Sequence, residues 1–540
     1  MKTKRFISTL LALLLVCSLP VSAFAEEYDL AQGSVTVNAT ESGQTVTHGS
    51  NAAVPDSAPV ITQSDSSTPT TNTVTITAEE NATANVTIQD VNIVISDPVD
   101  APEDHSGQAA VTIDVADGAS ANVTLDGVNI DVSGTGKYGN TAYSGEAAVQ
   151  ITGNGDVTLE LDGKNTLQGG NNRAAVEKNT TDDSGKGELT ITDENEIHGS
   201  LEATGGIYGA GIGGGREGDG SNITITGSAE VTAKGGDGGA GIGGGDFGTG
   251  SHITISGSAE VTAQGGVRGA GIGGGYLGSG SNITITGNAE VTAQGGDGGA
   301  GIGGGEDGAG SNITITGNAE VTAQGGVNGT GIGGGVASTG SDITISGDAQ
   351  VKAQGGEVLQ VEDWYYSKGA AIGDGGAGQK NAFPDPGAEV DPDIRKLTPN
   401  GRIEYYAPGA DMETDAPYKI VTGTYGLSQP AEPAQTAPLY RVIDQDGKAL
   451  TCETERQDGV LTITVEADFA ALTGKLGGIQ TLKAQGIDTI VFVTNGASST
   501  FALSDLLSQG STGDSYTLTH DGSTVTFTLN NGGDVSAILQ

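Results

Sequence analysis

The sequence predicts a mainly β chain: a right-handed parallel β-helix on a thirty-residue repeat, followed by a small α+β C-terminal domain. Three observations predict it. From 206 to about 355 the same phrases return every thirty residues without slippage. Each unit holds three short runs in which apolar and polar residues alternate, the period of a strand. Glycine, 93 of 540 residues, separates those runs, while aromatic content of 4 % is too low for a bulky globular core.

The first run is Ser221-Asn222-Ile223-Thr224-Ile225-Thr226-Gly227, which returns from Ser251, Ser281, Ser311 and Ser341. Ile223 and Ile225 point to one side and the threonines to the other. The second is Ala229-Glu230-Val231-Thr232-Ala233, returning at 259, 289, 319 and 349. The third is Ala210-Gly211-Ile212 within a glycine-rich segment that returns at 240, 270 and 300, and with Thr330 in place of alanine. Three strands per thirty residues make one triangular coil, and coils stack at roughly 4.8 Å. A degenerate form extends upstream through Ala174-Ala175-Val176, Ala147-Ala148-Val149 and Ala109-Ala110-Val111 to a coil at Thr73–Ile95, and the last unit holds Ala370-Ala371-Ile372-Gly373. This predicts about nine or ten coils over residues 73–380.

The flanks read differently. Residues 1–25 have a basic start (Lys2, Lys4, Arg5), an apolar run from Leu10 to Val16 and a small-residue end at Ala23-Phe24-Ala25, the grammar of a cleaved signal peptide. Residues 26–72 read as a flexible lead-in. Prolines break the pattern in 381–437, an irregular cap and linker. From 438 to 540 the pattern predicts strands at Leu439–Ile443, Val460–Val465 and Thr489–Val493, a helix over Phe469–Gln485, and a hairpin turning at Asp521-Gly522.

Charge narrows the functions. Acidic residues outnumber basic ones 67 to 23, a formal charge of −44. Such a surface repels nucleic acid and anionic lipid. No apolar run is long enough to span a bilayer, so no membrane insertion is expected. Cys452 is the only cysteine after the leader, so an exported bacterial chain without disulfides is expected, secreted or on the surface of a Gram-positive cell.

The upstream phrases Val123-Thr124-Leu125-Asp126-Gly127-Val128-Asn129-Ile130, Asp156–Asn165 and Gly187-Glu188-Leu189-Thr190-Ile191-Thr192 resemble the bacterial secreted "carbohydrate-binding domain-containing" β-helix proteins. The Gly209-Ala210-Gly211-Ile212-Gly213-Gly214-Gly215 repeats resemble those of large surface proteins of gut-dwelling Firmicutes. The resemblance implies non-catalytic binding of extracellular polysaccharide of the plant cell-wall type, with no required cofactor and with calcium in some members.

Candidate sites follow from scarcity and stacking. Trp364, Tyr365 and Tyr366 cluster in an insertion of the last coil, and Tyr138 and Tyr143 in a longer early loop. Such rings stack on the C–H faces of sugars; the plainer reading, favoured for Trp364-Tyr365-Tyr366, is that they cap the open end of the solenoid. Glu230, Glu260, Glu290 and Glu320 make a column of like charge, a place for Ca²⁺ or simply a solvated face. Catalysis is not expected. Arg216, Lys234, Arg268 and Lys352 sit at non-equivalent positions, and the five histidines are scattered without a Ser or Cys partner pattern. The alternatives are a structural stalk or adhesin, with the solenoid as spacer, and a degenerate polysaccharide lyase. The match of Gly209–Gly214 to a dinucleotide fingerprint lacks the helix that gives that motif meaning.

Overall fold

The computed structural model describes residues 26–98, 104–105, 107–136, 143–180, 187–195, 197–361, 364–380, 386–425, 439–445, 448–457, 459–511, 513–530 and 533–539. The signal-peptide reading of 1–25 therefore lies outside the described residues. The chain divides into two compact units, Met1–Gln429 and Pro430–Gln540.

The first unit is a parallel β-helix. Each thirty-residue copy pairs with the next in exact repeat register. Ile223 lies beside Ile253, then Ile283, Ile313 and Ile343. Val231 leads a second column through Val261, Val291 and Val321 to Val351. Ile212 leads a third to Ile242, Ile272, Ile302, Ile332 and Ile372. All three columns are parallel and buried. The three faces thus close on a narrow interior of isoleucine, valine and alanine ladders. Each fully buried isoleucine or valine contributes roughly 1.5–3 kcal/mol, so a thin core suffices when it repeats.

Glycine is required where chain passes against chain. At Gly243 φ is +132°, and a Cβ there would stand 2.0 Å from the Gly273 carbonyl oxygen of the next coil. The column Asn222, His252, Asn282, Asn312 and Asp342 also has positive φ, from 51° to 56°. Asparagine is the cheapest non-glycine residue there, and three of these five positions carry it.

The solenoid is longer than the sequence predicts. Residues 26–72, read above as a flexible lead-in, contain strands that belong to it. Val35–Thr40 pairs in parallel with Val74–Ala78, and Glu27–Asp29 with Val60–Thr62. Tyr28, Leu30, Val37 and Ile61 are buried in the same core. Gly43–His48 then folds back antiparallel onto Val35–Thr40 and covers that end. The other end closes within residues read as irregular cap and linker. Arg402–Tyr406 pairs in parallel with Gln350–Gln354 and antiparallel with Lys419–Thr422. Tyr405 is buried there, its ring 6.2 Å from that of Tyr418. Antiparallel strands at both ends occupy edges that would otherwise recruit other chains.

The second unit has a five-stranded and a four-stranded sheet with two short helices, Leu476–Ala484 and Leu503–Leu507. The helix predicted over Phe469–Gln485 is corrected in its first half. Phe469–Lys475 is a strand paired with Ser515–Asp521 and with Arg441–Ile443. Two partner strands supply hydrogen bonds on both edges, which outweighs the strong intrinsic helical preference of Ala470-Ala471-Leu472. The hairpin forms as expected, Ser515–Asp521 against Thr524–Leu529.

Candidate functional site

Five copies stacked in register allow each position to be compared with its own repeats. Most positions barely change. Two adjacent ones never repeat: Arg216, Asp246, Tyr276, Glu306 and Val336, and beside them Glu217, Phe247, Leu277, Asp307 and Ala337. A third changes almost as freely: Tyr208, Gly238, Arg268, Gly298 and Asn328. The fold gathers all three on one edge. Asp246 N–H donates to the Tyr208 carbonyl at 2.8 Å, Tyr276 N–H to Gly238 at 2.7 Å and Glu306 N–H to Arg268 at 2.8 Å.

The backbone at this edge is strained. Glu217, Phe247, Leu277, Asp307 and Ala337 all have φ between 57° and 66°. A left-handed conformation costs a non-glycine residue roughly 1–2 kcal/mol, and bulky residues avoid it most. The Asn222 column shows the cheaper solution to the same geometry. Keeping Phe247 and Leu277 instead, each 45 % exposed, sets side chains outward at a cost in stability. Strain of this kind gathers at functional sites.

The edge carries an alternating aromatic and guanidinium ladder. The Arg216 guanidinium carbon lies 5.9 Å from the Tyr208 ring centre and 5.8 Å from that of Phe247. Phe247 lies 5.5 Å from Tyr276, and Arg268 stands 4.8 Å over Tyr276. Each such contact contributes roughly 0.5–1 kcal/mol where exposed and holds the ring in place. Acids complete the ladder. Arg216 pairs with Glu217 at 2.8 Å and stands 3.7 Å from Asp246, and Arg268 pairs with Glu306 at 3.3 Å.

Asp246 is 5 % exposed, and burial pushes its carboxyl up to about 6, against the pull of Arg216 and Arg268. A raised carboxyl holds its proton more tightly in the folded state. It therefore stabilises fully below its ordinary 3.8, and that contribution is lost as pH rises through about 6. Asp246→Asn is expected to raise stability by on the order of 1 kcal/mol at pH 8 and by nothing below pH 4. Thermal melts of both proteins across that range check it. An equal difference at both ends would refute it.

A pocket continues the ladder toward the earlier coils. A cavity of about 390 Å³ is lined by Asn172, Arg173, Glu177, Asn179, Arg216 and Glu217 among others. Arg173 Nε donates to Glu177 at 2.7 Å, and Asn179 Nδ2 to the other Glu177 oxygen at 2.8 Å. Arg173 is 7 % exposed, and its Nη2 has no hydrogen-bond partner.

The residues singled out from sequence lie elsewhere. Tyr138 lies outside the described residues. Tyr143 is exposed in the early coils, its carbonyl accepting from Asn171 Nδ2 at 2.7 Å. Trp364–Tyr366 forms the middle strand of a small antiparallel sheet with Leu359–Val361 and Gly378–Lys380, and the side chains of these strands lie outside the described part. Glu230, Glu260, Glu290 and Glu320 are neighbours in one exposed column. Glu290 and Glu320 also line a cavity of about 410 Å³ with Lys352 and Arg402. No group of three or more His, Cys, Asp or Glu side chains placed to hold a metal occurs among the described residues. No helix there is long and apolar enough to cross a membrane.

One histidine does have a serine partner, contrary to the sequence reading. His520 Nε2 lies 2.8 Å from Ser499 Oγ, and Nδ1 lies 3.1 Å from Thr494 Oγ1. A hydrolytic triad places an acid behind the histidine and opens the serine to substrate. Here a threonine stands behind it, and the histidine is fully buried.

From sequence alone, the failure of Arg216 and Arg268 to repeat speaks against a shared site. That failure was itself the signal. No curated protein and no solved structure matches the chain. The family model described as "Beta helix repeat" matches residues 198–216, 223–246, 253–276, 283–306 and 343–376, blocks that carry both the stacked strands and most of the variable edge, so this chain carries beta helix repeats.

Proposed function

We propose that this is a secreted or cell-surface protein that binds extracellular polysaccharide without catalysis, and that the variable edge is its recognition surface. One observation carries the reading. Bulky side chains are kept in left-handed backbone on a single edge, in a chain that uses glycine freely elsewhere. Repeat scaffolds hold geometry constant on the inside and place binding residues at variable outer positions. Rings in fixed orientation beside paired arginines and carboxylates offer sugars both a stacking face and hydrogen-bond partners. In this reading the 438–540 unit is a separate α+β domain, and calcium is not required.

Retention of the full chain on insoluble cellulose, xylan and pectin, with and without chelator, tests the proposal. Retention unchanged by chelator is expected. Leu277→Gly should weaken it severalfold while raising stability by a few tenths to about 1 kcal/mol, because glycine removes the strain and the freedom it gains when unfolded offsets only part of that. No retention on any of the three would refute binding. Release of unsaturated uronates from pectin would revive the lyase reading.

A further inference from the structure

The edge and its pocket also bear on which polysaccharide is held. None of the arginines supplies surplus positive charge. Arg173 is balanced by Glu177, Arg216 by Glu217 and Asp246, and Arg268 by Glu306. The chain as a whole carries −44. A polyanion would meet a field of its own sign with no excess cation to offset it. A hydroxyl donates and accepts at once, and a guanidinium beside a carboxylate offers it both partners in one place.

Spacing points the same way. Tyr208, Phe247 and Tyr276 come from three consecutive coils. Parallel strands stack at roughly 4.8 Å, a step of the same order as one sugar ring in an extended chain. The ladder leads to the pocket, whose wall includes Arg173, Glu177 and Asn179. Such neighbouring donors and acceptors can offer a sugar hydroxyl both kinds of partner.

We propose that the ligand is an uncharged polysaccharide, lying along the solenoid axis with about one sugar per coil over Tyr208, Phe247 and Tyr276, and with one sugar in the Arg173 pocket. This rests on the polysaccharide reading above.

The test is calorimetric titration of the full chain with soluble cello- and xylo-oligosaccharides of increasing length and with oligogalacturonates of matching lengths. Affinity for the neutral series should rise with length to about four sugars, the span from pocket to Tyr276, and then level off. It should change little with salt. Phe247→Ala and Tyr276→Ala, both at partly exposed sites, should each weaken it about tenfold, with folding checked by circular dichroism. Binding of oligogalacturonate alone, with steep salt dependence, would overturn the inference and leave the polysaccharide reading standing. Neutral binding that ignores length, or that survives both substitutions, would overturn the placement. Failure of both series on a chain that still holds insoluble polysaccharide would overturn the inference alone, and failure on both soluble and insoluble forms would overturn both.

Discussion

Gly266→Val is expected to break the solenoid locally and split its melting into two transitions. A Cβ at 266 would stand 1.8 Å from the Gly236 carbonyl oxygen and 2.4 Å from its carbon. Neither strand can retreat cheaply. Gly266 N–H donates to the Gly239 carbonyl at 2.9 Å, and Gly265 N–H to Gln294 at 2.8 Å. The obstacle is backbone against backbone, with no flexible side chain to move aside. A loss above about 4 kcal/mol follows at that interface. Because each coil touches only its neighbours, the loss stays local, and coils on either side melt separately. Differential scanning calorimetry reads this directly. Thr262→Val, on an exposed outward position four residues earlier, should change stability by no more than about 0.5 kcal/mol. A single transition at the original temperature for Gly266→Val would contradict the packing described.

Glu177→Ala should cost about 3–5 kcal/mol, because it leaves a buried guanidinium without its counter-charge. Glu177 is 1 % exposed and accepts three hydrogen bonds, from Arg173 Nε at 2.7 Å, Ala174 N–H at 3.1 Å and Asn179 Nδ2 at 2.8 Å. Arg173 is already one donor short, so truncation strips it further. Glu177→Gln keeps the shape and loses the charge, and should cost less, about 1–3 kcal/mol. Urea denaturation of the three proteins would show the order wild type, Gln, Ala. A Gln variant as stable as wild type would show that the charge of Glu177 matters little. The same pair shapes the pocket wall, so Glu177→Ala should also weaken ligand binding even where the protein remains folded.

The uneven legibility of this chain has a physical basis. A solenoid face is written in adjacent residues: Ile223-Thr224-Ile225 shows which side is buried without knowledge of any distant partner. The strict repeat then supplies the partner, since each strand lies against its own next copy. The ends lack that help. Val35–Thr40 and Arg402–Tyr406 diverge from the consensus because one side of each faces a cap and not another coil. Phe469–Lys475 misled for a related reason, because its strand identity comes from Ser515–Asp521, forty residues on.

By itself, then, the sequence determined the repeat, the inward columns, the acidic surface and the glycine-rich corners, because each depends on neighbours in the chain. The tertiary structure alone decided where the variable residues meet. Tyr208, Arg216, Phe247, Tyr276 and Arg268 are spread over three repeats, and they form one ladder because the turns before and after each short Ile212-type strand hydrogen-bond across coils. It also decided that the side chains on that edge are held in left-handed backbone, a cost that no pattern of letters displays.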